Sequence, residues 1–309
     1  MSATRVVFMG SPDFAVPTLH AVCERAEVVA VVTQPDKPAG RGLGLVAPAV
    51  KTAALERNLR VWQPVSVRKP PFLDELRALE CDLAVVVAYG KILPAEVLAT
   101  PRLGCFNVHG SLLPKYRGAA PIQWAVIRGE TETGVTLMRM DIGMDTGDML
   151  ATRRIPIPDD ATTGSLYPVL STLGAQLVRD CWDDLVAGKL EPTPQDHTEA
   201  TMAPMLDKET GRVDFSVGAR RVRDLVRGCD PWPSAYTLLD GQPLKLFQPK
   251  VVSGRGPAGE VLGADRDGLL VGCGEDVVAF GALQLPGRKR MAAAALLAGK
   301  PIPVGTRLG

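Results

Sequence analysis

The first two thirds of the chain alternate short apolar runs with segments of helical periodicity. Continuous apolar runs at residues 6–9, 28–33 and 83–88 each end at turn residues or a polar loop. Runs of this kind are typical of strands that are buried on both faces of a parallel sheet. Further strands are predicted at residues 106–109, 135–140 and 149–155. Helices are predicted from residue 14 or 16 to 25 and at residues 49–58, 70–80, 119–128 and 162–187. This alternation predicts an α/β fold with an open, mostly parallel, Rossmann-like sheet and right-handed crossovers.

The last third of the chain has a different pattern. Residues 188–206 combine three prolines with many Thr, Glu, Asp and Gln residues, which is typical of a link between domains. An arginine-rich helix is predicted at residues 220–227, and five short β-like runs follow at residues 235–239, 244–252, 260–264, 268–271 and 276–285. Regular turn signals between these runs predict a smaller β-barrel that is OB-like. We therefore predict two domains, residues 1–188 and 207–309, joined by a linker at residues 189–206.

A long loop is predicted at residues 34–44. Two prolines and three glycines within eleven residues are incompatible with regular secondary structure there. Long exposed loops often carry function, and the loop offers Lys37 and Arg41 as charges that can contact phosphate. A solvated linker is the alternative, and composition alone favours it.

Composition describes an ordinary soluble globular protein, with 46% hydrophobic and 22% charged residues. The net charge of +1 argues neither for nor against a nucleic-acid partner. Residues 209–309 nevertheless contain 14 Lys and Arg against 10 Asp and Glu, a net charge of +4. An RNA-binding surface would therefore be a local basic patch, with the last third of the chain as its candidate position.

Cysteine and histidine usage gives no indication of a metal or redox site. The six cysteines are separated by at least 24 residues, and the three histidines lie far apart without a carboxylate cluster. Buried free thiols and no bound metal are expected. The N-terminus lacks a signal sequence, and no apolar run reaches the ~18 residues of a membrane span. The expected location is the cytoplasm, without membrane association.

The stretch from Asn107 to Asp148 concentrates the groups that a bond-forming site needs. Asn107 and His109 are two residues apart, so a strand places both side chains on one face. Asn107 offers a donor for an oxyanion, His109 an imidazole, and Asp145, in a glycine-rich loop, a carboxylate that can orient the imidazole or relay a proton. The sequence leaves open which of His109 and Asp145 takes the proton of the nucleophile. No nucleophile-elbow, zinc-protease or phosphate-loop motif is present, which favours direct group transfer without a covalent intermediate. The alternative is a satisfied polar pair beside two tight turns.

Residues 106–123 and 134–150 closely resemble the signature of the folate-dependent formyltransferases. The S-L-L-P run at residues 111–114, followed by a basic residue, Tyr, Arg and Gly, is highly specific for this family. The resemblance extends over nearly the full length, from G-S-P-D-F at residues 10–14 to G-L-L-V-G at residues 268–272. It implies an enzyme of translation initiation that transfers the formyl group of 10-formyltetrahydrofolate, a co-substrate, to the α-amine of methionyl initiator tRNA. It also implies that residues 1–188 are catalytic and that residues 207–309 bind tRNA.

The resemblance assigns roles to individual residues. Asn107, His109 and Asp145 are implied to be the catalytic trio. Phe14 is implied to lie near the methionine side chain, and the loop at residues 34–44 to contact tRNA. The residues implied to bind folate are Tyr89, Gly90, Ser111, Leu112, Leu113 and Pro114.

The loop at residues 34–44 departs from the family in one respect. The family often has lysines just after the R-G of this loop, where this chain has Leu43, Gly44 and Leu45. Arg41 is therefore the main candidate for a phosphate contact, ahead of Lys37. The partners expected are initiator methionyl-tRNA and 10-formyltetrahydrofolate, and the enzyme is expected to be a monomer.

Two other functional classes fit parts of the sequence. One is a formyltransferase or formyltetrahydrofolate hydrolase that acts on a small molecule; the long loop and the basic last third argue against it. The other is an RNA-binding module without catalytic activity, and the presence of Asn107, His109 and Asp145 argues against it.

Overall fold

A seven-stranded sheet organises the first part of the chain. The computed structural model describes residues 3–39, 44–265 and 267–309. The first strands along the chain are β1 (Arg5–Gly10), β2 (Glu27–Val32), β3 (Lys37–Ala39), β4 (Gly44–Val46), β5 (Val61–Trp62), β6 (Leu83–Val87), β7 (Cys105–His109), β8 (Glu132–Arg139) and β9 (Met149–Pro156). The sheet has the order β5-β2-β1-β6-β7-β8-β9. Pairing is parallel from β5 to β7 and antiparallel between β7 and β8, so the predicted mostly parallel sheet is confirmed.

Helices connect these strands close to the predicted positions. They are α1 (Val16–Cys23), α2 (Ala49–Glu56), α3 (Pro70–Ala78), α4 (Ala95–Leu98), α5 (Pro121–Ile127) and α6 (Thr163–Val186). Proline in the first turn starts both α1 and α3, where the missing N–H has no intrahelical partner to lose. The short α4 was not predicted, because a single turn is too brief to show helical periodicity.

The central strands are buried because helices and neighbouring strands cover them. Every residue of β6 and β7 is buried. Gly10 ends β1 at a point where a Cβ atom would lie 2.9 Å from the Val87 carbonyl oxygen and 2.9 Å from the Ala15 Cβ. Only glycine allows this close approach between β1, β6 and the turn that follows β1. The carboxyl ends of the parallel strands thus converge at one edge of the sheet.

The segment predicted as an irregular loop contains a small hairpin. Strands β3 and β4 pair antiparallel, with Pro38 opposite Leu45. The prediction of no regular structure at residues 34–44 was therefore wrong at both ends of the segment. Proline is tolerated here because this two-stranded sheet has no further strand that would need the missing N–H. Arg41, the main candidate of this loop, lies outside the described residues.

The last part of the chain forms an antiparallel sheet. Its strands are β10 (Tyr236–Leu239), β11 (Gln242–Gly256), β12 (Val261–Asp265), β13 (Gly268–Gly272), β14 (Gly274–Gln284) and β15 (Met291–Ala292), with helices α7 (Ala219–Gly228) and α8 (Ala293–Gly299). The order is β10-β11-β14-β13-β12, and β15 also pairs with β14. Val222 and Val226, one turn apart on α7, enter the core of this sheet. All five predicted β-like runs are strands, and the predicted fold class is confirmed.

By its internal contacts the chain divides into two units. The first contains Met1–Pro121, Thr133–Ile155 and Tyr167–Pro204, and the second contains Ile122–Glu132, Pro156–Leu166 and Met205–Gly309. Residues 189–204, most of the predicted linker, are therefore grouped with the first unit. The second unit also takes in two segments from within residues 1–188, Ile122–Glu132 and Pro156–Leu166. The predicted domain borders at residues 188 and 206 stay a prediction.

The sequence also led to expectations about the thiols, about metal ligands and about membrane spans. All six cysteines are free, as predicted, and burial raises the pKa of the Cys105 thiol to about 12, which keeps it unreactive at neutral pH. Among the described residues, no helix is long and apolar enough to cross a membrane. Within the same part of the chain, no three His, Cys, Asp or Glu side chains cluster as metal ligands would.

Candidate active site

The last residues of β7 carry the two polar side chains singled out in the sequence. Asn107 pairs in register with Val86 on β6 and with Met138 on β8, while His109 lies opposite Thr136 on β8. Alternation along the strand places Asn107 and His109 on one face, as predicted. Both side chains are buried although they are polar. Their positions are fixed by the backbone pairing of three strands.

The imidazole of His109 is oriented by a backbone carbonyl. Its Nε2 lies 2.8 Å from the carbonyl oxygen of Tyr116. A carbonyl oxygen only accepts, so Nε2 carries the proton and donates it to Tyr116. Nδ1 is then the nitrogen that faces Asp145, whose Oδ2 is 3.7 Å away. This distance is within range of a charge interaction and too long for a hydrogen bond.

Asp145 reaches the histidine from a loop. Its Oδ2 accepts a hydrogen bond of 2.9 Å from the backbone N–H of Gly118. Its backbone adopts a φ of 54°, in the left-handed region, where aspartate is found more often than most residues. The structure thus brings His109 and Asp145 together from positions 36 residues apart in the sequence, and it gives the carboxylate a backbone donor of its own.

The S-L-L-P turn after β7 is held by a single threonine of β8. The hydroxyl of Thr136 donates to the Ser111 carbonyl oxygen at 2.7 Å and accepts from the Leu113 N–H at 3.2 Å. The Ser111 hydroxyl donates in turn to the Lys115 carbonyl oxygen at 2.6 Å. Ser111 and Leu113 are buried, whereas Leu112 and Pro114 are partly exposed. A ligand can therefore meet Leu112 and Pro114 directly.

The loops after β1, β2 and β6 are tied together at the same edge. The Gln34 side chain donates to the Tyr89 carbonyl oxygen at 2.9 Å, and the Gln34 N–H donates to the Ser11 hydroxyl at 3.1 Å. The Tyr89 ring is buried, and the pKa of its phenol rises to about 12 for that reason. Gly90, which follows it with a φ of 78°, is exposed. Of these two predicted folate residues, Gly90 is exposed and can meet a ligand, whereas Tyr89 is buried.

Phe14 and Lys37, predicted to contact methionine or tRNA, follow β1 and β2. The Phe14 ring is buried and packs edge-on against Tyr167, with ring centroids 5.2 Å apart. Its carbonyl oxygen accepts from the Ser171 hydroxyl at 2.8 Å. Lys37 is exposed on the β3–β4 hairpin. Burial, and then the charge of Lys37, lower the pKa of Lys91, so the two ammonium groups share one neighbourhood.

Sequence reasoning missed two buried polar residues beside Asp145. The guanidinium of Arg117 donates to the side-chain oxygen Oε1 of Gln195 through Nε at 3.0 Å and through Nη2 at 2.6 Å. The Gln195 amide donates to the carbonyl oxygens of Asp145 at 2.8 Å and Gly147 at 2.7 Å. Arg117 is the arginine of the family signature, so the sequence contained a signal for it. Gln195 carried no signal, because it lies in the proline-rich segment predicted as a linker.

Comparisons with known proteins show which family the chain resembles. Residues 4–180 match the family model described as formyl transferase, and residues 205–301 match the model described as the C-terminal domain of formyl transferase. A methionyl-tRNA formyltransferase of Geobacter sulfurreducens is 52% identical to this chain over 310 residues, which cover 100% of this chain and 98% of that relative.

Solved structures of lower identity share the fold. An N-formyltransferase from Helicobacter canadensis, in complex with folinic acid and dTDP-3-aminofucose, has a TM-score of 0.70 at 16% identity, covering 90% of this chain and 99% of that chain. HypX from Aquifex aeolicus, in complex with tetrahydrofolic acid, has a TM-score of 0.62 at 22% identity, covering 96% of this chain and 47% of that chain. At these identities the likeness concerns the fold alone.

Proposed function

The chain belongs to the formyl transferase family, and we propose that it transfers the formyl group of 10-formyltetrahydrofolate to the α-amine of methionyl initiator tRNA. The observation that carries this proposal is the identity of 52% with a methionyl-tRNA formyltransferase over the whole length of both chains. An identity of this size, together with matches to both family models, concerns the catalytic and the C-terminal parts alike. A small-molecule formyltransferase or a formyltetrahydrofolate hydrolase is not favoured.

Asn107 is proposed to act where the formyl oxygen gains charge. The α-amine of an aminoacyl ester titrates near or below the ~8 of a peptide amine, so much of it is neutral and can attack a carbonyl carbon. The Asn107 amide N–H is proposed to donate to the formyl oxygen as negative charge develops on it, in the manner of an oxyanion hole. Its position in the middle of β7, fixed by pairing on both sides, supports this role.

The His109–Asp145 pair handles the proton. Because Nε2–H is held by Tyr116, Nδ1 faces Asp145, and a proton between Nδ1 and Oδ2 would be stabilised by both groups. Asp145 is the more exposed member, with 19% of its side chain exposed against 6% for His109. We assign Asp145 as the group that the incoming amine meets, and His109 as the group that stabilises the proton it takes up.

The residues at the strand ends fit a folate. Gly90 supplies open backbone after β6, while Leu112 and Pro114 supply partly exposed apolar surface after β7. Small-molecule sites commonly combine such apolar surface with a few convergent polar groups, here Asn107 and Asp145. When bound, the folate supplies the formyl carbon and a nitrogen that accepts the returning proton.

Contacts with tRNA are assigned to both ends of the chain. Phe14 is proposed to border the methionine side chain, and Lys37, with Arg41 beyond the described residues, to meet phosphate. In the second unit, Arg220 and Arg221 are exposed on α7 and supply positive charge for the RNA backbone. With initiator tRNA as its substrate, the enzyme is proposed to act in the cytoplasm, as a monomer.

The test is a choice of formyl acceptor. The purified chain is offered 10-formyltetrahydrofolate with charged initiator tRNA, with glycinamide ribonucleotide, or with no acceptor. Formyl-methionyl-tRNA is the expected product. Formylation of the small acceptor, or release of formate without any acceptor, would replace the proposal by one of the two small-molecule activities.

A further inference from the structure

Residues 195–203, the 195–203 segment, lie along the turn at residues 116–118, which contacts His109 and Asp145. The Arg117 N–H donates to the Thr201 carbonyl oxygen at 2.9 Å, and the Ala203 N–H donates to the Arg117 carbonyl oxygen at 2.7 Å. The Tyr116 N–H donates to the Thr201 hydroxyl at 2.9 Å. This segment therefore pairs with residues 116–117 as a short added strand would.

The paired turn supplies backbone groups to both His109 and Asp145. The Tyr116 carbonyl oxygen accepts from His109, and the Gly118 N–H donates to Asp145. Gly118 has a φ of 115°, and a Cβ atom there would lie 2.9 Å from the Ala203 carbonyl oxygen. Glycine is needed for both reasons, and the close approach to Ala203 means that a shift of the 195–203 segment would move Gly118.

Gln195 forms a second link, directly to the Asp145 loop. Its side-chain oxygen Oε1 accepts two hydrogen bonds from Arg117. Its side-chain nitrogen Nε2 donates two, to the backbone carbonyl oxygens of Asp145 and Gly147. Every hydrogen-bonding capacity of the amide is then used, so its orientation is fixed by its partners. Arg117 is itself only 6% exposed.

The Asp145 backbone needs such a clamp. A non-glycine residue in the left-handed region is strained and persists when surrounding contacts hold it. The Asp145 φ of 54° meets that description. Gln195 donates to the backbone at Asp145 and again at Gly147, on either side of Thr146.

We infer that Gln195 and Arg117 are positioning residues for the catalytic pair, acting through Asp145. The 195–203 segment is then a working part of the active site rather than a connection between domains. This inference rests on the proposed function, because it gives Asp145 a role in formyl transfer. It assigns to the predicted linker a task that neither the sequence nor the family resemblance indicated.

The test uses Gln195→Glu in the full-length protein. The carboxylate still accepts from Arg117, but it can no longer donate to the Asp145 and Gly147 carbonyl oxygens. We expect kcat for formylation of methionyl-tRNA to fall about 10- to 100-fold, the usual cost of misplacing a catalytic group by about 1 Å. KM for the formyl donor should stay within about twofold, because the loss concerns the transition state. The pH profile of kcat should shift, because the His109–Asp145 pair is disturbed.

Glu199→Gln is the matched control, because it exchanges a carboxylate and a carboxamide at an exposed position of the same segment. Arg117→Lys is the second variant, since it keeps the charge and loses the forked contact, and it should show a smaller fall in kcat with a pH shift in the same direction. If circular dichroism shows that Gln195→Glu does not fold, the kcat and pH profile of Arg117→Lys test the inference instead. Wild-type kcat and pH profile in a folded variant would overturn the inference. An inactive wild-type enzyme would instead overturn the proposed function.

Discussion

The two halves of the candidate site are built in different ways. Asn107 and His109 stand on a central strand, and their positions follow from main-chain pairing with β6 and β8. Asp145 stands on a loop, and its position depends on Gly118 and on the side chain of Gln195. The strand-borne half is rigid because many backbone bonds share the task, whereas the loop-borne half depends on a few bonds.

This difference separates two kinds of substitution. A change on the strand removes a chemical group and leaves the neighbouring geometry in place. A change among the supports of the loop leaves every chemical group in place and moves one of them. Activity, donor binding and stability should therefore respond in different proportions in the two halves.

The largest effect is expected for His109→Ala. Removing the imidazole takes away the group proposed to stabilise the proton on Asp145, and kcat should fall on the order of 10²–10⁴-fold, the usual range for acid–base groups. Donor binding should survive, because β7 keeps its pairing. His20→Ala, a change at a half-buried histidine of α1, is the control in single-turnover assays. Near-normal turnover of His109→Ala would remove the imidazole from the mechanism.

Asn107→Ala should follow, with a fall in kcat of about 10²–10³-fold, as for loss of one oxyanion-hole donor. The strand keeps its register, so the thermal midpoint should change little beyond the loss of one side chain. The measurement pairs kcat with the dissociation constant for the formyl donor. A change confined to donor affinity would make Asn107 a binding residue and contradict the assigned role.

The smallest effect on chemistry is expected for Thr136→Val. This change keeps the shape of a fully buried side chain and leaves the Ser111 carbonyl and the Leu113 N–H without their shared partner. The free energy of unfolding should fall by about 1–3 kcal/mol, the cost of unsatisfied buried groups. Denaturant titration measures it, and Thr136→Ser should restore most of it. A neutral Thr136→Val would mean that the S-L-L-P turn is held by other contacts.

Sequence patterns predicted the strands of the site well and its loop-borne part poorly. Residues 83–88 and 106–109 were predicted as strands because short apolar runs that alternate with helices are typical of a buried parallel sheet. The hairpin of β3 and β4 was missed because turn-forming composition describes single residues and not the return of the chain onto itself. Gln195 was missed because it acts across 50 residues on Asp145, and no periodicity spans that distance.

The sequence alone determined the fold class, the position of Asn107 and His109 on one strand face, and the family, because these depend on local periodicity and on a specific run of residues. Tertiary structure decided which nitrogen of His109 faces Asp145, and which groups hold the Asp145 loop in place. It also placed residues 201–203 against Arg117, although the two lie more than 80 residues apart in the sequence. These features come from hydrogen bonds between distant segments, whose partners are selected only when the whole chain has folded.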